Sequence, residues 1–226
     1  MKKHVLSMLL ALGAAALTQT VSAAGVASAG ADKSAVCAAC HGADGNSPAP
    51  SFPKIAGLGE RYILKQLRDI QAWDKASGSD KASTGRPVVE MTGLLSGLTD
   101  QDLQDIAAHY ADQTIQLSGS KELTVKINSG EDVDALKLGQ QVYRAGNEET
   151  GVPACTGCHS PTGVGNAPAG YPHLGGQYAQ YIEKQLRAFR AGERTNDGDQ
   201  MIMRLAAKHL SDAEIKSLAN YIAGLH

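Results

Sequence analysis

Aromatic residues are scarce, with 2 Phe, 7 Tyr and 1 Trp among 226 residues. Aromatics supply the largest buried areas, so the chain is poorly equipped to build one large core from side chains alone. That leaves room in the interior for a group other than side chains. A surplus of basic charge is missing too, with 21 Lys plus Arg against 23 Asp plus Glu and a formal charge of -2. Nothing here matches a phosphate backbone, and nucleic acid is not an expected partner. At 42% apolar and 19% charged, the chain is not of disordered composition. No run approaches the roughly 20 apolar residues that span a bilayer.

The opening residues point to export. Lys2 and Lys3 precede an apolar run from Val5 to Leu17, and Val21-Ser-Ala-Ala24 places small residues where a signal peptidase reads them. The expectation is a cleaved signal over residues 1–23, a periplasmic location, and a formal charge of -4 once Lys2 and Lys3 are removed. The alternative, an anchoring helix, is disfavoured because the run is 13 residues long and ends at Thr18, Gln19 and Thr20. No Cys precedes Cys37, so a lipid-attachment cysteine is missing, and no later segment suits a transmembrane helix.

The four cysteines form Cys37-Ala-Ala-Cys40-His41 and Cys155-Thr-Gly-Cys158-His159. Two disulfides would be the ordinary reading for an exported chain, but the spacing argues against it. Cys-x-x-Cys-His is the attachment signature of c-type haem. Two thiols add to the two vinyl groups on one porphyrin edge, and the next residue projects an imidazole beneath the macrocycle to bind iron. A Cys₄ zinc site would leave both His unexplained and would need far longer spacing than usual. A thioredoxin-like redox pair would need a β-α-β context that is absent.

The chain also repeats. Phe52-Pro-Lys-Ile-Ala-Gly through Arg68 aligns with Tyr171-Pro-His-Leu-Gly-Gly through Arg187, sharing Tyr-Ile-x-Lys-Gln-Leu-Arg. Leu98 to Ala107 aligns with Leu210 to Ala219. This predicts a tandem duplication: a first domain over 24–112, a linker over 113–132 and a second domain over 133–226. Each reads as helical. Ile63, Leu67 and Ile70, and Ile182, Leu186 and Phe189, recur at helical spacing. Thr99 with Asp102, and Ser211 with Glu214, are placed to open a last helix as N-cap and N3 partners. Its apolar stripe is Leu103, Ile106 and Tyr110 in one copy and Ile215, Leu218 and Ile222 in the other. A helix from about Val133 to Arg144 should precede the second haem motif, and Leu123 to Ile127 alternates enough for a short extended stretch.

The sixth iron position separates a carrier from an enzyme. Met91 stands eight residues before Thr99, and Met203 stands eight before Ser211. A thioether is a soft, neutral ligand that favours Fe(II), so His/Met pairing raises the potential and closes the iron to peroxide. Met201 competes with Met203, and core filling is the alternative role for any of the three. His109, His173, His209 and His226 have no counterparts in the other copy and read as surface or packing residues.

With these residues placed, the sequence resembles the dihaem cytochrome c4 family, exported carriers built from two class I cytochrome c domains. The resemblance rests on Cys37 to Asn46, the Pro-x-Ile/Leu-x-Gly segments, Tyr-Ile-x-Lys-Gln-Leu-Arg in both copies, and Leu210 to Ile215 with Asn220 to Leu225. It implies an all-α fold, two covalent haems joined through Cys37, Cys40, Cys155 and Cys158, and iron held by His41, Met91, His159 and Met203. It implies haem propionate edges facing each other across a pseudo-twofold junction, and a loop proline whose carbonyl orients each proximal His, matched here to Pro50 and Pro168. The first copy departs from the pattern with Leu58 where the second has Gln177, and with a longer Ala76-to-Arg86 loop after Trp73. The implied function is single-electron transfer between redox protein partners, such as a cytochrome bc complex and a haem-copper oxidase. The rivals are a dihaem peroxidase, which needs a five-coordinate iron, a thiosulfate-oxidising protein, which in its family uses an additional Cys ligand, and a bound subunit of a dehydrogenase. Lys65, Arg68, Lys184 and Arg187 read as solvated helix faces rather than a docking patch.

Overall fold

A computed structural model describes residues 24–78 and 85–226. The expected signal over 1–23 and positions 79–84 of the long loop lie outside the described residues. In chain order the elements are α1 (Ala27–Lys33), α2 (Ala35–His41), α3 (Glu60–Lys75), a 3-10 turn (Val89–Met91) and α4 (Asp100–Ala111). A hairpin of β1 (Thr124–Lys126) and β2 (Asp132–Asp134) follows. The second copy contains α5 (Ala135–Ala145), α6 (Thr156–His159), a 3-10 turn (Ala167–Ala169), α7 (Ala179–Ala191), α8 (Ile202–Ala207) and α9 (Asp212–Ala223).

The last helix of each copy begins where the capping pattern places it. Thr99 Oγ1 accepts from the Asp102 N–H while Asp102 accepts from the Thr99 N–H, and Ser211 with Glu214 repeats the arrangement. Each box satisfies N–H groups that the first helical turn leaves open. Leu103, Ile106 and Tyr110 are buried with Ile63, Leu67 and Ile70 in the first core. Ile215, Leu218 and Ile222 are buried with Ile182 and Phe189 in the second, with Leu186 packed beside them. The chain is therefore helical twice over, with one core per copy.

In both copies the first helix crosses the last at a glycine. A Cβ on Gly30 would stand 2.0 Å from the Asp105 carbonyl oxygen, and one on Gly139 would stand 2.2 Å from that of Ser217. Only a residue without a side chain permits such backbone approach. Gly139→Ala should therefore force α5 and α9 apart and cost about 1–3 kcal/mol, read as a lower thermal midpoint for the second copy; an unchanged midpoint would contradict the packing.

The segment between copies forms a hairpin around the expected extended stretch. Leu123 to Ile127 contains β1, and Val125 pairs with Val133 in an antiparallel register. Val133 thus lies in a strand, and the helix expected to open there begins at Ala135, because the Asp134 side chain caps it by accepting from the Lys137 N–H. Val125 packs with Ala135 and Ala213, and Lys121 exchanges two hydrogen bonds with the Asn220 side chain, fastening this segment to α9. No helix among the described residues is long and apolar enough to cross a membrane.

Candidate functional site

In the first copy α2 carries Cys37, Cys40 and His41 on its last two turns. Spacing of three places the thiols on one face, and His41 ends the helix buried. The chain then reverses through Gly42 and Gly45, both at positive φ, and comes back under the imidazole. His41 Nδ1 lies 2.8 Å from the Pro53 carbonyl oxygen. A ring nitrogen facing a carbonyl carries the proton, so Nε2 is left with its lone pair. Burial, partly opposed by that bond, lowers the His41 pKa and holds the ring neutral, the form that binds metal. Phe52 meets the ring edge-on at 6.3 Å. Cys37, Cys40, His41 and Met91 line one solvent-open cleft with Val36, Phe52, Glu90, Leu94 and Leu95. The 3-10 turn Val89–Met91 delivers Met91 to that cleft.

The second copy repeats the arrangement. Cys155 caps α6, which holds Cys158 and ends at buried His159. His159 Nδ1 lies 3.1 Å from the Pro172 carbonyl oxygen, Tyr171 stands edge-on at 6.1 Å, and burial again lowers the imidazole pKa. Met203 and Cys155 pack against the same buried cluster. Met201 is 41% exposed and sits at φ 50°, the left-handed turn that starts α8. Of the two candidates Met203 therefore reaches the core.

The carbonyls that hold the imidazoles belong to Pro53 and Pro172, which corrects the assignment to Pro50 and Pro168. Pro168 lies in the 3-10 turn Ala167–Ala169, and its carbonyl accepts instead from Arg61 Nη1 across the junction at 2.7 Å. Counting nine residues from each His misled because each loop returns three or four residues later. The repeat register already aligned Pro53 with Pro172 and was the better guide.

Between the copies lies a polar network that the sequence did not disclose. Arg86 donates to Gln66 on its own side and to Tyr181 and Gln185 across the junction; Arg194 donates to Gln185 on its own side and to Tyr62 and Gln66 across it. The Tyr and Gln are those of the repeated Tyr-Ile-x-Lys-Gln-Leu-Arg, so the duplicated motif builds a two-fold contact. Neither guanidinium is hydrogen-bonded to a carboxylate among the described residues, although both are buried. Burial alone would raise the Tyr181 pKa, yet the two guanidinia hold it below the ordinary phenol value. Lys65 reaches the Asn196 carbonyl across the junction at 2.7 Å, whereas Arg68 pairs with Asp100 and Arg187 with Glu183 and Asp212 on exposed faces.

This donor set fits a c-type haem. All four thiols are free, and burial raises the pKa of Cys37 and, to about 11, that of Cys155. In the first copy two thiols, an imidazole nitrogen and a thioether surround one cleft, which is what covalent attachment and two axial bonds require. Among the described residues no cluster of three or more His, Cys, Asp or Glu offers a zinc-type alternative.

Comparison with known proteins agrees. The cytochrome c family model matches residues 27–111 and 136–226, one match per copy. The chain is 52% identical over 226 residues, the whole of both chains, to cytochrome c4 of Stutzerimonas stutzeri. It superposes on the crystal structure of reduced recombinant cytochrome c4 from Pseudomonas stutzeri with a TM-score of 0.81, covering 90% of this chain and all of that one. It is also 31% identical over 190 residues, 84% of this chain and 78% of the other, to the thiosulfate dehydrogenase electron acceptor of Stutzerimonas stutzeri strain A1501.

Proposed function

The chain belongs to the cytochrome c4 family of dihaem electron-transfer cytochromes, and on that premise we propose that it works in the periplasm as a single-electron carrier between respiratory complexes. Its donor is a quinol-oxidising cytochrome bc complex and its acceptor a haem-copper oxidase. The observation that carries this reading is the shared cleft of the first copy, where Cys37, Cys40, His41 and Met91 converge. Haem iron supplies the one-electron chemistry when bound. The chain's own residues do the rest. Cys37, Cys40, Cys155 and Cys158 would attach the two groups, while His41 with Met91 and His159 with Met203 would hold the two irons and shield them from a substrate. Pro53 and Pro172 hold the imidazoles in the tautomer that presents Nε2. Arg86 and Arg194 place positive charge at the junction, bound to Gln66, Gln185, Tyr62 and Tyr181.

Similarity to a thiosulfate dehydrogenase electron acceptor favours a second reading, in which the electron comes from a dehydrogenase docked to this chain. One assay separates them. Periplasmic extract should contain the protein cleaved near residue 24. Once reduced, it should be reoxidised by oxidase-containing membranes and re-reduced by quinol through a bc complex. Reduction only in the presence of a thiosulfate dehydrogenase would favour the second reading, and retention in the cytoplasm would sink both.

A further inference from the structure

The two copies are not equivalent on the proximal side. The Pro53 carbonyl that accepts from His41 Nδ1 belongs to the same amide as the Lys54 N–H, and that N–H donates to Gln177 Oε1 at 3.0 Å. Gln177 Nε2 donates in turn to the Lys54 carbonyl at 2.7 Å. Gln177 is 2% exposed, belongs to the second copy, and so grips both faces of Lys54 from across the junction. The Lys54 ammonium reinforces the grip, reaching the Gln116 and Gly176 carbonyls and lying 4.7 Å from the Tyr178 ring. The reverse arrangement is missing. Leu58 occupies the position of Gln177 in the first copy, and the His173 N–H, the counterpart of the Lys54 N–H, has no hydrogen-bond partner among the described residues.

We propose that Gln177 is a positioning residue for the first haem, acting from the second copy through the Pro53–Lys54 peptide to set the potential of the first iron relative to the second. Hydrogen bonds in series polarise one another. An amide whose N–H is donating has a more negative carbonyl oxygen, which draws the His41 proton more strongly and makes Nε2 a better donor to iron. A more basic imidazole stabilises Fe(III) and lowers the potential. The distances follow this order, 2.8 Å at His41–Pro53 against 3.1 Å at His159–Pro172. The effect runs in one direction only, so docking of the copies tunes one haem and spares the other.

The inference rests on His41 being the proximal ligand, and the experiment separates the two. NMR of the intact oxidised protein should place the His41 Nδ1 proton among the iron-shifted resonances. If it is not there, both the ligand reading and the inference fail. Gln177→Leu, which installs the residue found at 58, should then raise the first haem's potential, so that the electron of half-reduced protein moves about threefold toward that haem. It should also speed solvent exchange of the His41 Nδ1 proton, with His159 and the second potential unchanged. Gln177→Met, unbranched and of similar length, should do the same and serves if Leu packs badly. Equal shifts at both haems, or an unmoved His41 proton in a folded variant, would overturn the inference and leave the ligand reading standing.

Discussion

Replacing Met91 by Ala is expected to open the first iron. The 3-10 turn that ends at Met91 faces the cleft shared with His41, and among the described residues no other thioether lines it. Half of the weak sulfur-to-Fe(III) absorption at the red end of the oxidised spectrum should vanish. That haem's potential should fall by at least about 59 mV, a tenfold change in a one-electron equilibrium, because a soft ligand that favours Fe(II) has gone. Cyanide or peroxide should then bind. Met203→Ala should do the same to the second haem, and Met201→Ala should do none of these things, since its side chain is exposed at the start of α8. Spectral loss from Met201→Ala would reverse the choice between the two residues without touching the carrier reading.

The double variant Cys37→Ser/Cys40→Ser should lose one haem and, with it, the first copy's fold. Without haem the apolar walls of the cleft, Val36, Phe52, Leu94 and Leu95, would face water in place of the macrocycle, which removes the burial that stabilises this copy. Domain stabilities are only about 5–15 kcal/mol, so losing that burial should unfold the copy. Denaturing mass spectrometry should show the chain plus one haem mass, visible absorbance should halve, and only second-copy resonances should unfold cooperatively. Two haem masses would refute thioether attachment at Cys37 and Cys40; a cooperatively folded first copy would refute the view that haem completes its core.

The features legible in the sequence are those fixed by short spacings. Cys-x-x-Cys-His is set by the porphyrin, the capping boxes by one helical turn, and the stripes of α3, α4, α7 and α9 by the helical period, so each could be read without knowing the rest of the chain. What escaped reading depends on contacts across distance. Helix α1 carries no apolar stripe, only Ala, Gly, Ser, Asp and Lys, and its place is set by Gly30 meeting the Asp105 carbonyl. Strand β2 is three residues long, too short for alternation to show, and exists because β1 lies opposite. Arg86 and Arg194 stood in the sequence as the ends of two loops of unequal length. Their shared role with Gln66 and Gln185 emerges only when the copies face each other. A polar Gln three residues after a core Ile, present in both copies, was the one local sign of that junction. Pro53 and Pro172 were visible through the repeat register and were missed by counting from His41 and His159.

The most direct test of the account is to mix the oxidised, untreated protein with cyanide and with peroxide in a stopped-flow spectrometer. If His41 with Met91 and His159 with Met203 close both irons, neither reagent should change the spectrum rapidly and peroxide should not be turned over, while two one-electron reductions proceed normally. Rapid binding at either haem would show an open iron and contradict the carrier assignment at its base.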